Sequence, residues 1–182
     1  MIERVVLLGF MAAGKTTVGG LLADRLDWEF VDLDELITLR TGQSVEAIFR
    51  HGEHAFRAEE AAATADVAAR RRMVLAPGAG WITNAELPAA LGDGTVYVWL
   101  RVDAETAVLR ARRETAVRPM LAEGDPEETA QRLLAAREPL YAAHADLAVD
   151  AVGRTSEDIT REIEAWLAER IGAPVDNYNG QA

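Results

Sequence analysis

The chain has 182 residues, with 30 acidic against 19 basic side chains, a formal net charge of −11 and no cysteine. Such a length fits one domain with an ordinary hydrophobic core, and the lack of cysteine excludes disulfides and thiolate metal sites. The acidic balance repels phosphate backbones, so no nucleic-acid partner is expected, and any anionic ligand needs its own local cations. No apolar run reaches the roughly 18–20 residues that cross a bilayer, so no membrane partner is expected either. The apolar start from Val5 to Ala13 is interrupted by Gly14-Lys15 with no cleavage site after it, and reads as part of the fold rather than an export signal. A reducing cytoplasm is the expected compartment.

In chain order, Val5 to Leu8 is a continuous, β-branched run that predicts a buried strand. Thr16 to Leu26 carries helical spacing through Val18, Leu21, Leu22 and Leu26. Phe30 to Leu33 reads as a second strand, followed by helical patterns over Asp34 to Arg40, Ser44 to Arg50 and the alanine-rich Glu53 to Arg71. Met73 to Ala76 is a third strand closed by Pro77-Gly78, and Asn84 is placed to cap a short helix through Leu91. Thr95 to Val102 is a fourth strand and Asp103 to Arg113 a helix.

Glu114 to Gly124 has no clean period and contains Pro119, which predicts a mobile loop. Asp125-Pro126-Glu127-Glu128 has the composition of a helix start, and that helix should run to about Ala143. Leu147 to Asp150 is a fifth strand, and Thr155 caps a last helix to about Ile171. The polar tail 173–182 is expected to be flexible. Strands alternating with helices predict an α/β fold: a central five-stranded, mostly parallel sheet between two helical layers, with ligands at the carboxyl ends of the strands.

Gly9-Phe10-Met11-Ala12-Ala13-Gly14-Lys15-Thr16 matches the whole of the phosphate-binding loop motif, between a buried strand and a helix. Its glycines let successive backbone N–H groups turn inward, and the helix N-terminus adds partial positive charge. The nucleotide set is Gly9, Ala12, Ala13, Gly14, Lys15, Thr16 and Thr17, with Lys15 on the terminal phosphates and Thr16 on Mg²⁺. Asp32 and Asp34 end the neighbouring strand, where one carboxylate would support the metal and the other would take a proton from an attacking hydroxyl. The plainer alternative makes Asp34 a helix cap and Asp32 a turn residue.

Arg57 sits in a helical stretch with Glu60 three residues on, placed to lock its guanidinium, and Arg137 lies in Arg137-Glu138-Pro139-Leu140-Tyr141. An arginine fork suits a carboxylate, though each of these two alone also reads as a surface ion pair. Arg110, Arg112, Arg113 and Arg118 cluster about the irregular loop, which predicts a lid over about residues 112–124 that excludes water and neutralises a transferring phosphoryl group. His51, His54 and His144 read as surface residues.

Together, the GFMAAGKTT loop, the VDLD pair, GEHAFRAEE, the glycine-bearing turn after the third strand, RPML and REPLY make the chain resemble the shikimate kinase family over roughly residues 4–170. The resemblance implies a nucleoside-monophosphate-kinase-like P-loop fold. It comprises a single kinase domain over residues 1–172, a substrate-binding helical region over about 33–61 and a lid. It implies transfer of the ATP γ-phosphate to the 3-hydroxyl of shikimate with Mg²⁺, in aromatic amino-acid synthesis, and a monomer is expected.

Residue by residue, the resemblance implies Lys15, Asp34 and Arg118 as catalytic and Thr16 and Asp32 as metal-supporting. Asp34, Arg57, Arg137 and the stretch Gly78-Ala79-Gly80 would bind the substrate, and Arg110 and Arg118 the nucleotide. One departure stands out: Ala79 occupies a position where the family usually has glycine. If that position needs positive φ, alanine costs about 1 kcal/mol; otherwise its methyl only narrows the pocket. A kinase of a related hydroxy acid such as gluconate, or a non-catalytic nucleotide-binding paralogue, are the alternatives this departure leaves open.

Overall fold

A computed structural model describes residues 1–113 and 125–171. Residues 114–124 of the predicted lid, with Arg118, and the predicted tail lie outside the described residues.

Five strands form one sheet: β1 (Arg4–Gly9), β2 (Glu29–Asp32), β3 (Met73–Ala76), β4 (Thr95–Arg101) and β5 (Leu147–Asp150). Their spatial order is β2-β3-β1-β4-β5, and every pairing is parallel. Among the described residues, eight α-helices cover it: α1 (Lys15–Leu26), α2 (Leu33–Thr41), α3 (Val45–Phe49), α4 (Glu53–Val67), α5 (Glu86–Leu91), α6 (Ala104–Arg113), α7 (Pro126–His144) and α8 (Ser156–Ala168). The central strand β1 is buried at every residue, because a parallel sheet covered on both faces leaves no strand side for water. Alternate residues of β1 feed opposite cores. Val5 and Leu7 pack with α1, α6 and α8 residues such as Leu22, Ala107 and Ile163. Val6 and Leu8 pack with α2, α4 and α5 residues such as Ile37, Val67 and Leu91. This is the predicted three-layer α/β/α arrangement, with the sheet parallel throughout.

Four local expectations change. Predicted to reach Arg71, α4 stops at Val67: the Arg70 N–H closes a tight turn on the Val67 carbonyl, and Arg72 takes a left-handed conformation (φ 54°) to send the chain into β3. A 3₁₀ turn over Trp81–Thr83 precedes α5, and Asn84 holds the Glu86 N–H at 3.1 Å from just outside the helix. The last helix ends at Ala168 rather than Ile171. His144 is half-buried rather than on the surface, with Nδ1 2.9 Å from the Leu140 carbonyl and its ring edge-on to Tyr97. His51 and His54 are exposed, as expected.

Arg4 begins β1 in the interior, at 6% exposure. Its guanidinium is satisfied by Thr95 Oγ1 at 2.9 Å and by the Arg70 and Asp93 carbonyls at 3.0 and 2.6 Å. That network knits the end of the sheet opposite the cleft, where a buried charge is tolerated only when its donors are paired.

Candidate active site

At the carboxyl ends of β1, β2 and β3 lies a cleft of about 290 Å³. The predicted residues Ala12, Gly14, Lys15, Thr16, Thr17, Asp32, Asp34, Gly78 and Ala79 all line it. Its floor is the loop between β1 and α1. Gly9 has φ 150°, and a Cβ there would stand 2.7 Å from the Leu100 carbonyl oxygen, so close approach of β4 requires glycine. Gly14 has φ 95°, and Ala12, though not glycine, is left-handed at φ 56°. The backbone N–H groups of Met11, Ala12 and Gly14 donate to no acceptor among the described residues. A run of inward, unbonded N–H groups at a helix N-terminus is an anion cradle. Ala13 turns its methyl into the core at 1% exposure, so its contribution is backbone alone, and Met11 takes the lining place beside it.

Lys15 curls over this loop, its Nζ donating to the Gly9 and Phe10 carbonyls at 2.9 and 3.0 Å. It is the chain's only lysine. Arg110 reaches in from α6, with Nη1 3.3 Å from the Ala12 carbonyl and Nη2 2.7 Å from that of Ala151, just past β5. It therefore ties the phosphate loop to the loop after β5, while Arg112 and Arg113 are exposed.

Asp32 is the residue that caps α2: its Oδ1 accepts from the Asp34 and Glu35 N–H groups at 3.0 and 3.3 Å. The plainer reading of the sequence gave that task to Asp34. The other Asp32 oxygen accepts from Thr16 Oγ1 at 2.8 Å. Asp34, in the first turn of α2, stands at the cleft wall facing Gly78, where a built Cβ would lie 3.5 Å from its Oδ1.

Beyond Asp34 the wall is charged and buried. Arg57 on α4 donates Nη1 to Glu60 at 2.8 Å, and Nη2 and Nε to Glu53 at 2.9 and 3.3 Å. Glu60 is fully buried, and its Oε1 has no hydrogen-bond partner among the described residues. Burial pushes its carboxyl up to about 7, against the pull of Arg57; the nearby Asp34 pushes the same way and Arg137 opposes it. Burial also disfavours the Arg57 cation, but Glu60 and Glu53 more than offset this and leave its pKa raised. Arg137 on α7 is 6% exposed and lies over the Phe10 ring, 5.9 Å from its centroid. Arg137 is buried rather than in a surface ion pair, while Arg57 is half-buried and pairs with both exposed Glu53 and buried Glu60.

The turn Gly78-Ala79-Gly80 joins these walls. A Cβ on Gly80 would stand 2.9 Å from the Arg57 Cζ, so a side chain there would displace that guanidinium. Ala79 does not have positive φ, and its methyl packs against the core. The strain that a positive φ at this position would have imposed is absent, which leaves the branch in which the Ala79 methyl only narrows the pocket. The Tyr141 hydroxyl donates to the Ala79 carbonyl at 2.6 Å, and Trp81 Nε1 donates to Thr64 Oγ1 at 3.0 Å. Reading the sequence missed Glu53, Tyr141 and the Thr64–Trp81 anchor. Only Tyr141 left a signal, since it follows Arg137 by four residues and so shares its helix face.

The shikimate kinase family model matches residues 11–168. A shikimate kinase of Moorella thermoacetica is 43% identical over 169 residues, covering 90% of this chain and 96% of that one. Among solved structures, the shikimate kinase of Acinetobacter baumannii in complex with shikimate superposes with a TM-score of 0.87 at 33% identity, covering 93% and 95% of the two chains. The Aquifex aeolicus enzyme gives 0.78 at 30% identity, covering 92% and 98%. A gluconokinase from Sinorhizobium meliloti gives 0.63 at 20% identity and shares the fold. The phosphate loop and Asp34 share one cleft, and the family model and the relatives match this chain across most of its length: the chain belongs to the shikimate kinase family.

Proposed function

We propose that this chain transfers the γ-phosphoryl group of ATP to the 3-hydroxyl of shikimate, giving 3-phosphoshikimate and ADP. One observation carries the reading: the phosphate loop shares its cleft with Asp34, and the Arg57–Arg137 pair lies behind the turn that forms the cleft's far wall. A substrate carboxylate would give buried Arg137 an anion and would join Glu53 and Glu60 around Arg57, which favours an acidic substrate in a site away from water.

The substrate carboxylate docks at Arg57 and Arg137, which turns the ring hydroxyls toward Asp34 and the phosphate loop. Asp34 accepts the proton of the attacking hydroxyl. The oxygen forms a bond to the γ-phosphorus as the bond from that phosphorus to the bridging oxygen breaks, and ADP carries the electron pair away. Lys15 leaves the Gly9 and Phe10 carbonyls for the phosphates, where its charge offsets that developing on the γ-oxygens. Arg110 flanks the nucleotide. Arg118 and the lid over about 112–124, which lie outside the described residues, close on the transferring group. Helices α2–α4 make up the substrate-binding region of a single domain.

Thr16 and Asp32 fit Mg²⁺. They are hard oxygen donors 2.8 Å apart at the mouth of the loop, and Mg²⁺ takes few protein ligands and completes its shell with phosphate and water. When bound, the ion neutralises charge on the β- and γ-phosphates. A cytoplasmic monomer completes the reading, and no helix among the described residues is long and apolar enough to cross a membrane.

The test is ADP release with ATP and Mg²⁺, comparing shikimate, gluconate and no acceptor. Shikimate-dependent release is expected. A higher kcat/KM with gluconate would move the substrate, and ATP binding without any transfer would remove the activity.

A further inference from the structure

The loop from Gly78 to Gly80 faces both halves of the site, yet nothing in its own composition holds it rigid. Its backbone N–H groups at Gly78, Ala79 and Gly80 donate to no acceptor among the described residues. Gly80 is itself buried, where a backbone N–H calls for a partner. Two side chains anchor the segment from outside. Trp81 bonds Thr64 of α4, just beyond the turn. Tyr141 of α7 bonds the carbonyl of Ala79, in the turn itself.

The second bond has a directional consequence. A trans peptide is planar, and its carbonyl and the next N–H point opposite ways. Among the described residues no peptide is cis. With the Ala79 oxygen held 2.6 Å from Tyr141 Oη, the Ala79–Gly80 peptide is fixed in rotation, and the Gly80 N–H is aimed away from the tyrosine. Gly80 packs its Cα against the Arg57 guanidinium, so this same peptide sets how closely backbone and arginine stand.

We propose that Tyr141 is a positioning residue for substrate binding: its hydroxyl locks the Ala79–Gly80 peptide so that the Gly80 N–H joins Arg57 and Arg137 in holding the substrate carboxylate. The proposal rests on the assignment of those arginines to that carboxylate.

The surroundings of the hydroxyl suit the task. Tyr141 is 1% exposed, and its ring packs beside Trp99 with centroids 5.9 Å apart, so the phenol has little freedom. Burial pushes its pKa far above that of an ordinary tyrosine, against the pull of Arg137, so the hydroxyl keeps its proton and remains a donor. The carbonyl can only accept, which settles the direction of the bond. Arg137, one helical turn before it on α7, stands beside the same oxygen. One helix face therefore presents both an arginine for the carboxylate and the anchor that shapes the opposing backbone.

Tyr141→Phe removes the hydroxyl and keeps the ring. The experiment compares wild type and variant for KM of shikimate, KM of ATP and kcat, with the methyl ester of shikimate as a substrate lacking the carboxylate charge. Expected are a rise of about tenfold in KM for shikimate and a kcat within about threefold. The KM for ATP and the kcat/KM for the ester should be unchanged. A shikimate KM within twofold of wild type would overturn the proposal, as would equal losses for shikimate and its ester, or for shikimate and ATP. A wild-type enzyme that uses the ester as well as the acid would instead remove the carboxylate assignment beneath it. A second measurement needs no variant: the Gly80 amide of ¹⁵N-labelled wild type should shift and exchange more slowly on saturation with shikimate. A Gly80 amide unmoved by shikimate would overturn the proposal.

Discussion

A single run, Gly9 to Thr16, supplies the phosphate side of the cleft, whereas the facing side draws on α2, α4, the 78–80 turn and α7, from Asp34 to Tyr141. The phosphate side works through backbone: unbonded N–H groups, a helix N-terminus and one lysine on its own loop's carbonyls. The facing side works through buried side-chain charge that neighbouring carboxylates hold in place. A loop that closes on itself depends mainly on local conformation. A wall assembled from four segments depends on tertiary packing, and each of its charges must be paired or it destabilises the fold.

The sharpest way to break this contrast is Lys15→Met. Turnover should fall by about 10³-fold, since a positioned cation on the phosphates is lost, with the fold intact by thermal unfolding. Near-normal kcat would show that the loop is not the reacting side. Because Lys15 is the only lysine, acylation by an amine reagent has one side-chain target, and ATP should protect it.

Arg57→Ala addresses the other side. The KM for shikimate should rise by about 10²-fold with little change in the KM for ATP, because a charged hydrogen-bonding pair is removed from one ligand only. Parallel losses for both substrates would mean that the two walls are not separable.

Glu60 sharpens the comparison through pH. Its carboxyl is raised from 4.5 in the reference state to about 7 in the fold. The folded state thus binds this proton more tightly than the unfolded one. The associated stability is present below about pH 4.5 and lost as pH rises through about 7, by about 3 kcal/mol. Urea titrations across that window should show the fall in wild type and a flatter profile in Glu60→Gln. Identical slopes would mean that Glu60 titrates normally.

The smallest effect is expected at Ala79. Its backbone is not left-handed, so Ala79→Gly should leave kcat/KM for shikimate within about twofold. A large gain would show that the methyl obstructs the substrate after all.

Much of the architecture was legible because strands buried on both faces read as continuous apolar runs, and each is followed by helical spacing. The overlong reading of α4 has a simple cause. Alanine-rich sequence continues past Val67 with no breaker, and only the need to enter β3 ends the helix. The VDLD pair stands at the end of β2 as read, but the plainer alternative named the wrong cap for α2: either aspartate has cap chemistry, and only the chain's entry angle made Asp32 the cap.

From the residues alone follow the phosphate loop, the alternation of strands and helices, and the family, because each depends on near neighbours in the chain. Tertiary structure decided that Arg137 is buried and Arg57 half-buried with both near Glu60, that one Glu60 oxygen has no hydrogen-bond partner among the described residues, and that Tyr141 grips the Ala79 carbonyl. Those facts join residues tens of positions apart. Helical spacing tells which residues share a face, but only packing tells what that face meets.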